Sequence, residues 1–183
     1  TLARTFGSEG SSNGKFNQPR GIAVSQTGEV YVADTTNHRI QVFDLNGTFR
    51  RKWGTQGNLD GQLNRPVGLD LDDDGSVVVA DYENNRAVVF DANGTFLRKW
   101  GINTRATKVT TLNNGLILIG GGGNNWESMV KLYEKDGGNV KEWNTIPGVA
   151  PSPVACLTDG TLVMANRGAD KLLFYRPTYR TVR

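Results

Sequence analysis

A self-similarity of 47 residues constrains this sequence more than any other feature. The residues Pro19, Gly21, Gly28, Ala33-Asp34, Asn37, Arg39, Val42-Phe43-Asp44, Asn46-Gly47-Thr48-Phe49 and Lys52-Trp53-Gly54 return 47 positions later. The copies are Pro66, Gly68, Gly75, Ala80-Asp81, Asn84, Arg86, Val89-Phe90-Asp91, Asn93-Gly94-Thr95-Phe96 and Lys99-Trp100-Gly101. A looser third copy runs from Asn114-Gly115 through Val130-Lys131-Leu132-Tyr133 to Trp143, and a fourth from Asp159-Gly160 to Tyr175. The turn glycines Gly28, Gly75, Gly115 and Gly160 stand 47, 40 and 45 residues apart. A period of this length marks an array in which each unit buries its apolar face against its neighbours.

Within a unit the apolar runs are short, rich in Val, Ile, Leu and aromatics, and bounded by Gly, Asn and Asp, which predicts strands. In the first unit they cover about 20–25, 29–33, 39–43 and 48–53. Asn46-Gly47 and Asn93-Gly94 predict two-residue type I′ hairpin turns. No segment has a 3.6-residue period. Four antiparallel strands in each unit specify an all-β propeller with four four-stranded blades. One domain over 1–183 follows, with blades at about 8–54, 55–101, 102–143 and 144–176. Arg4-Thr5-Phe6-Gly7 precedes Arg51-Lys52-Trp53-Gly54 by 47 positions, while the fourth unit has no such outer strand. Strand 1–7 is therefore expected to close the ring on the last blade, making Phe6, Trp53, Trp100 and Trp143 equivalent anchors. The alternative is a fragment of a larger ring.

The residues that could carry enzyme chemistry are scarce. One histidine, His38, and one cysteine, Cys156, exclude a multi-His zinc site, a Cys/His cluster and an intrachain disulfide. No catalytic set, metal or cofactor is expected. Asp72-Asp73-Asp74-Gly75 reads as an acidic turn, because the remaining positions of a calcium loop do not follow. Gly120-Gly121-Gly122-Gly123 reads as a blade loop, since no Lys-Ser/Thr follows it. The two Asn-Gly-Thr sequons coincide with the hairpin turns. No apolar run approaches a membrane span and no signal-peptide pattern opens the chain, so a cytoplasmic location without membrane contact is expected. The net charge of +3 is compatible with an anionic partner without requiring one.

Asp34/Arg39 and Asp81/Arg86 recur at equivalent points, which assigns them to the scaffold. Recognition need not recur, so positions that differ between units are the candidates for binding. On one face, the loops between second and third strands and between units carry Arg20, His38, Arg65, Tyr82, Arg105, Lys108, Trp126 and Arg167. Cations interleaved with aromatics suit single-stranded nucleic acid, where guanidinium groups meet phosphate and rings stack on bases. Glu83, Glu127 and Asp170 on the same loops weaken the field.

The segments Asn17-Gln18-Pro19-Arg20-Gly21-Ile22-Ala23-Val24, Val32-Ala33-Asp34 through Asn37-His38-Arg39 to Phe43, and Ala80-Asp81 through Arg86 to Phe90 resemble NHL repeats, like those in the C-terminal propellers of TRIM-NHL proteins. The resemblance implies a non-enzymatic, monomeric recognition module that binds single-stranded or structured RNA. The alternative it implies is a protein-interaction platform, such as the substrate-recruiting end of a ubiquitin ligase. Some NHL-like propellers are lyases or hydrolases with metal-binding histidines, which this sequence lacks. The family's propeller usually has six blades, and this chain shows four units.

Overall fold

The structure is a computed structural model that describes residues 5–112, 115–122, 128–144, 154–156, 161–166 and 171–175. Among the described residues, fifteen strands form four antiparallel sheets, each in simple meander order. The first holds β1 (Pro19–Val24), β2 (Val30–Asp34), β3 (Arg39–Phe43) and β4 (Phe49–Trp53). The second holds β5 (Pro66–Leu71), β6 (Val77–Asp81), β7 (Arg86–Phe90) and β8 (Phe96–Gly101). The third holds β9 (Ala106–Thr111), β10 (Ile117–Gly122), β11 (Ser128–Tyr133) and β12 (Asn139–Asn144). The last has three strands, β13 (Val154–Cys156), β14 (Leu162–Asn166) and β15 (Lys171–Tyr175). Among the described residues there is no α-helix; short 3-10 turns at Thr35–Asn37 and Tyr82–Asn84 join second to third strands.

Burial explains the strand sequences. The middle strands β2, β3, β6 and β7 are buried at every position: β6 and β7 lie between two sheets, while β2 and β3 have the second sheet on one face and Phe16 of the entry loop with Phe49 on the other. Outer strands β4 and β8 alternate half-buried with exposed residues. Tyr31, Ala33, Ile40 and Val42 of the first sheet pack on Leu69, Val77, Val79, Val88 and Phe90 of the second. Val78, Ala80, Ala87 and Val89 then pack on Val109, Ile117, Ile119 and Tyr133 of the third. Each outer-strand tryptophan seals the next junction. Trp53 lies 5.8 Å from Phe90 and covers Gly94, and Trp100 lies 5.7 Å from Tyr133 and covers Gly137. Phe6 covers Gly47 and lies 5.2 Å from Phe43, so it occupies the same anchor position against the first sheet. The side chain of Trp143 is outside the described residues.

Polar clasps cross the same junctions. Arg51 Nε donates to the Ala92 carbonyl and Arg98 Nε to the Lys135 carbonyl, at 2.9 and 2.8 Å. Lys135 Nζ reaches Asp74 at 2.6 Å and Asp72 at 3.2 Å, holding the Asp74 carboxyl down at about 2. The acidic turn is thus a contact between sheets.

Two expectations need correction. The Asn-Gly turns are not type I′: only Gly47 and Gly94 have positive φ, at 82° and 93°. Asp44 Oδ1 accepts the N–H groups of Asn46 and Thr48, and Asp91 does the same for Asn93 and Thr95, so an aspartate pins each turn and only its last residue is left-handed. Gly120, Gly121 and Gly122 are strand residues of β10, not a loop. The expected closure of the ring on the last blade by residues 1–7 falls partly outside the described residues. Residues 1–4 are outside the described residues, 5–7 belong to no strand, and Ile22 and Val24 of β1 are 63% and 56% exposed. The equivalent Leu69 of β5 is 5% exposed, because the first sheet covers it.

Candidate functional site

The pairing registers define equivalent positions in the first three units. Asp34 pairs with Pro19 and Arg39, Asp81 with Pro66 and Arg86, and Gly121 with Ala106 and Met129. Ile22, Leu69 and Val109 likewise pair with Val32, Val79 and Ile119, so the residues just before them, Gly21, Gly68 and Lys108, are equivalent.

The recurring carboxylate and arginine form a buried staple. Asp34 Oδ1 accepts the Asn17 N–H at 2.7 Å, and Oδ2 accepts from Asn37, Arg39 Nε and Gln41. Arg39 in turn donates to the carbonyls of Ser11, Ser12 and Lys15. Asp81 repeats the pattern with Asn64, Asn84 and Arg86, and Arg86 reaches the carbonyls of Asn58, Leu59 and Gln62. Both staples fix the loop that enters their own sheet. A buried charge is tolerated only with this degree of pairing.

Around that scaffold, the sequence candidates assemble in three groups. His38 sits in the left-handed conformation (φ 54°) that ends the first 3-10 turn, and its Nδ1 accepts the Arg65 N–H at 3.1 Å. That bond places the hydrogen of the neutral ring on Nε2. Burial, then the charge of Arg65, lowers the His38 pKa below its ordinary value, with Asp81 opposing. In the second group the Arg105 guanidinium lies 5.4 Å from the centroid of the Tyr82 ring and 3.2 Å from the Glu83 carboxylate. Tyr82 is therefore not a bare stacking platform; Arg105 already lies over it. The third group is Arg20 on β1 and Lys108 on β9, both exposed. They line one cavity of about 500 Å³ whose walls are Arg20–Ile22, Val67–Asp70 and Thr107–Thr110. Trp126 and Arg167 lie outside the described residues.

Two features are not legible from spacing. Glu83, an acid that weakens the field of the loop face, also positions Arg105. The cavity itself comes from side-by-side packing of inner strands, and its one trace in the sequence is the recurrence of Gly21 and Gly68.

Stacked four-stranded sheets with a shared inner wall and a repeated Asp-Asn-Arg staple make this a β-propeller-like, all-β repeat chain. The NHL repeat family model matches residues 16–43 and 63–90, which hold the first three strands of each of the first two sheets. The relatives over the repeat region are TRIM-NHL proteins. They include the B-box type zinc finger protein ncl-1 of Caenorhabditis elegans (53% identical), Protein brain tumor of Drosophila melanogaster (49%) and E3 ubiquitin-protein ligase TRIM71 of Gallus gallus (53%). Each match spans 45 residues, which is 25% of this chain and 4–5% of the relative. Among solved structures, virginiamycin B lyase from Staphylococcus aureus superposes on 87% of this chain with a TM-score of 0.66 and 17% identity. A protein of unknown function from Bacteroides caccae superposes on 81% with a TM-score of 0.63 and 17% identity. This chain covers 55% and 56% of those two structures, and the likeness is one of fold.

Proposed function

We propose that this chain is a non-catalytic recognition module of an NHL-type propeller, and that it binds single-stranded or structured RNA through its loop face. The observation that carries this reading is the placement of Arg20, Arg65, Arg105 and Lys108 on three successive sheets or the linkers entering them, two of them beside an aromatic or imidazole ring. Arg105 over Tyr82 offers a guanidinium plane for a base, and His38 offers an Nε2 hydrogen to an acceptor. The 17% identical likeness to a lyase is one of fold and adds no activity to this reading.

The sheets are read as consecutive blades of one domain over 1–183. The open face of Ile22 and Val24 favours an arc of a wider ring over a ring of four closed by residues 1–7. A protein-interaction role is the second reading, favoured by the relative named as an E3 ubiquitin-protein ligase.

The test is a titration of labelled uridine-rich and mixed single strands against the wild type and an Arg65→Ala/Arg105→Ala variant at several salt concentrations. Each lost phosphate contact lowers the log–log salt slope by roughly 0.7. Absence of binding at micromolar protein and low salt, or an unchanged slope in the variant, transfers the case to a protein partner.

A further inference from the structure

The inner strands of successive sheets touch through glycine. A Cβ added to Gly21 would overlap the Val67 carbonyl oxygen and come within 3.0 Å of the Leu69 nitrogen. One added to Gly68 would lie 2.7 Å from the Thr107 carbonyl oxygen and 2.9 Å from the Lys108 Cα. Absence of a side chain is thus what lets β5 lie against β1 and β9 against β5. The third equivalent position is Lys108. Lys108 thus carries a side chain where Gly21 and Gly68 have none, and that side chain is exposed. A second substitution accompanies it: Arg20 stands where the next two units have Val67 and Thr107. Both departures from the repeat are cations, and both line the same cavity of about 500 Å³.

The carboxylate in that wall is already committed. Asp70 Oδ2 accepts the N–H and hydroxyl of Thr111 at 2.8 and 3.1 Å, and Oδ1 accepts the Leu71 N–H at 2.9 Å. Two exposed cations against one bonded carboxylate leave the cavity cationic.

We propose that the inner wall formed by β1, β5 and β9 is a phosphate-binding groove, with Arg20 and Lys108 as its cations, and that Lys108 keeps it open by occupying the glycine position of its repeat. This rests on the RNA reading and names where the phosphodiester backbone enters: the wall of β1, β5 and β9, apart from the Tyr82–Arg105 pair. Long flexible cations at two edges of a groove neutralise phosphate without reading sequence.

The variants are taken from the repeats themselves, so each installs a residue that an equivalent position already holds. Arg20→Val and Lys108→Gly are made in the full chain, with Lys108→Ala removing the charge while keeping the Cβ. Wild type and variants are titrated with a labelled uridine-rich strand across salt and, separately, with inorganic tripolyphosphate followed by thermal shift. Each substitution is expected to remove roughly 0.7 from the salt slope and the double variant about twice that. Tripolyphosphate should raise the melting temperature of the wild type and lose that effect in the double variant. Unchanged slopes together with an unchanged tripolyphosphate shift overturn the groove while leaving RNA binding elsewhere on the face intact. A wild type that binds no strand but shows the Arg20- and Lys108-dependent tripolyphosphate shift removes the RNA reading and keeps the phosphate groove.

Discussion

The first two sheets and the third bring the chain to the inner strand in different ways. Sheets one and two are entered by long loops, and a buried Asp–Arg pair fixes each loop by its amides and carbonyls. The third is entered by Ile102–Arg105 alone, and Gly121 and Met129 stand where the pair would be. A Cβ at Gly121 would overlap the Arg105 carbonyl oxygen and lie 2.7 Å from the Ala106 Cα. The short linker lies directly on the strand, in the space a carboxylate bridges elsewhere. A long loop thus requires charged fixation, whereas a short one can be replaced by backbone contact, which is why the spacing falls from 47 to 40 between these units.

The strongest way to break this comparison is to remove one half of a staple. Asp81→Ala strands the guanidinium of Arg86, buried with its remaining bonds only to carbonyls, and should cost about 3–5 kcal/mol. Equilibrium denaturation measures it, and a loss near zero would mean that the loop is held by something else. Next is the converse change in the third unit. Gly121→Ala forces the Arg105–Ala106 backbone away from β10 and should cost about 1–3 kcal/mol, detectable as a lower midpoint with an unchanged denaturant slope. A smaller effect separates the first unit from the second, where Asn85 takes the left-handed position of His38. Burial depresses the His38 pKa in the folded state, so the folded chain resists protonation that the unfolded chain accepts. Its contribution to stability is complete above the unfolded value of about 6.5 and is lost as pH falls through the folded value. Between pH 7 and 5 the wild type should lose under ~1 kcal/mol more than His38→Asn, given the partial exposure of the ring.

Periodicity made the scaffold legible. Strand positions in the first unit are within a residue of those observed, because a Gly-bounded apolar run of five residues that must be buried has few other solutions. The scaffold role of Asp34 and Asp81 was legible from recurrence, although the sequence could not say that each arginine turns back on its own entry loop. The turn type was misread because Asn-Gly tolerates two left-handed residues, while the aspartate two residues before Asn46 supplies side-chain bonds that favour one. Gly120–Gly122 was misread as a loop because glycine signals close approach as well as freedom, and only the position of Arg105 distinguishes the two. At the candidate site, the identities of the cations were visible but their grouping was not. Which of them share a wall depends on contacts between sheets that sequence spacing does not encode.

The staples also decide how the folding energy is divided. Arg39 and Arg86 bind carbonyls that precede their own sheets, so the first two units carry a large internal term, and the apolar junctions add a coupling term between neighbours. In a linear array of this kind each unit stands or falls on the sum of the two. The third unit has given up the internal term for a glycine and a short linker, and so it is stabilised chiefly by its neighbour. Opening under native conditions should accordingly start there, with amide exchange fastest in β9 to β12 and slowest in β2, β3, β6 and β7. Among the first three units, a rigid pair with a dependent one docked against it is the behaviour this exchange pattern would reveal.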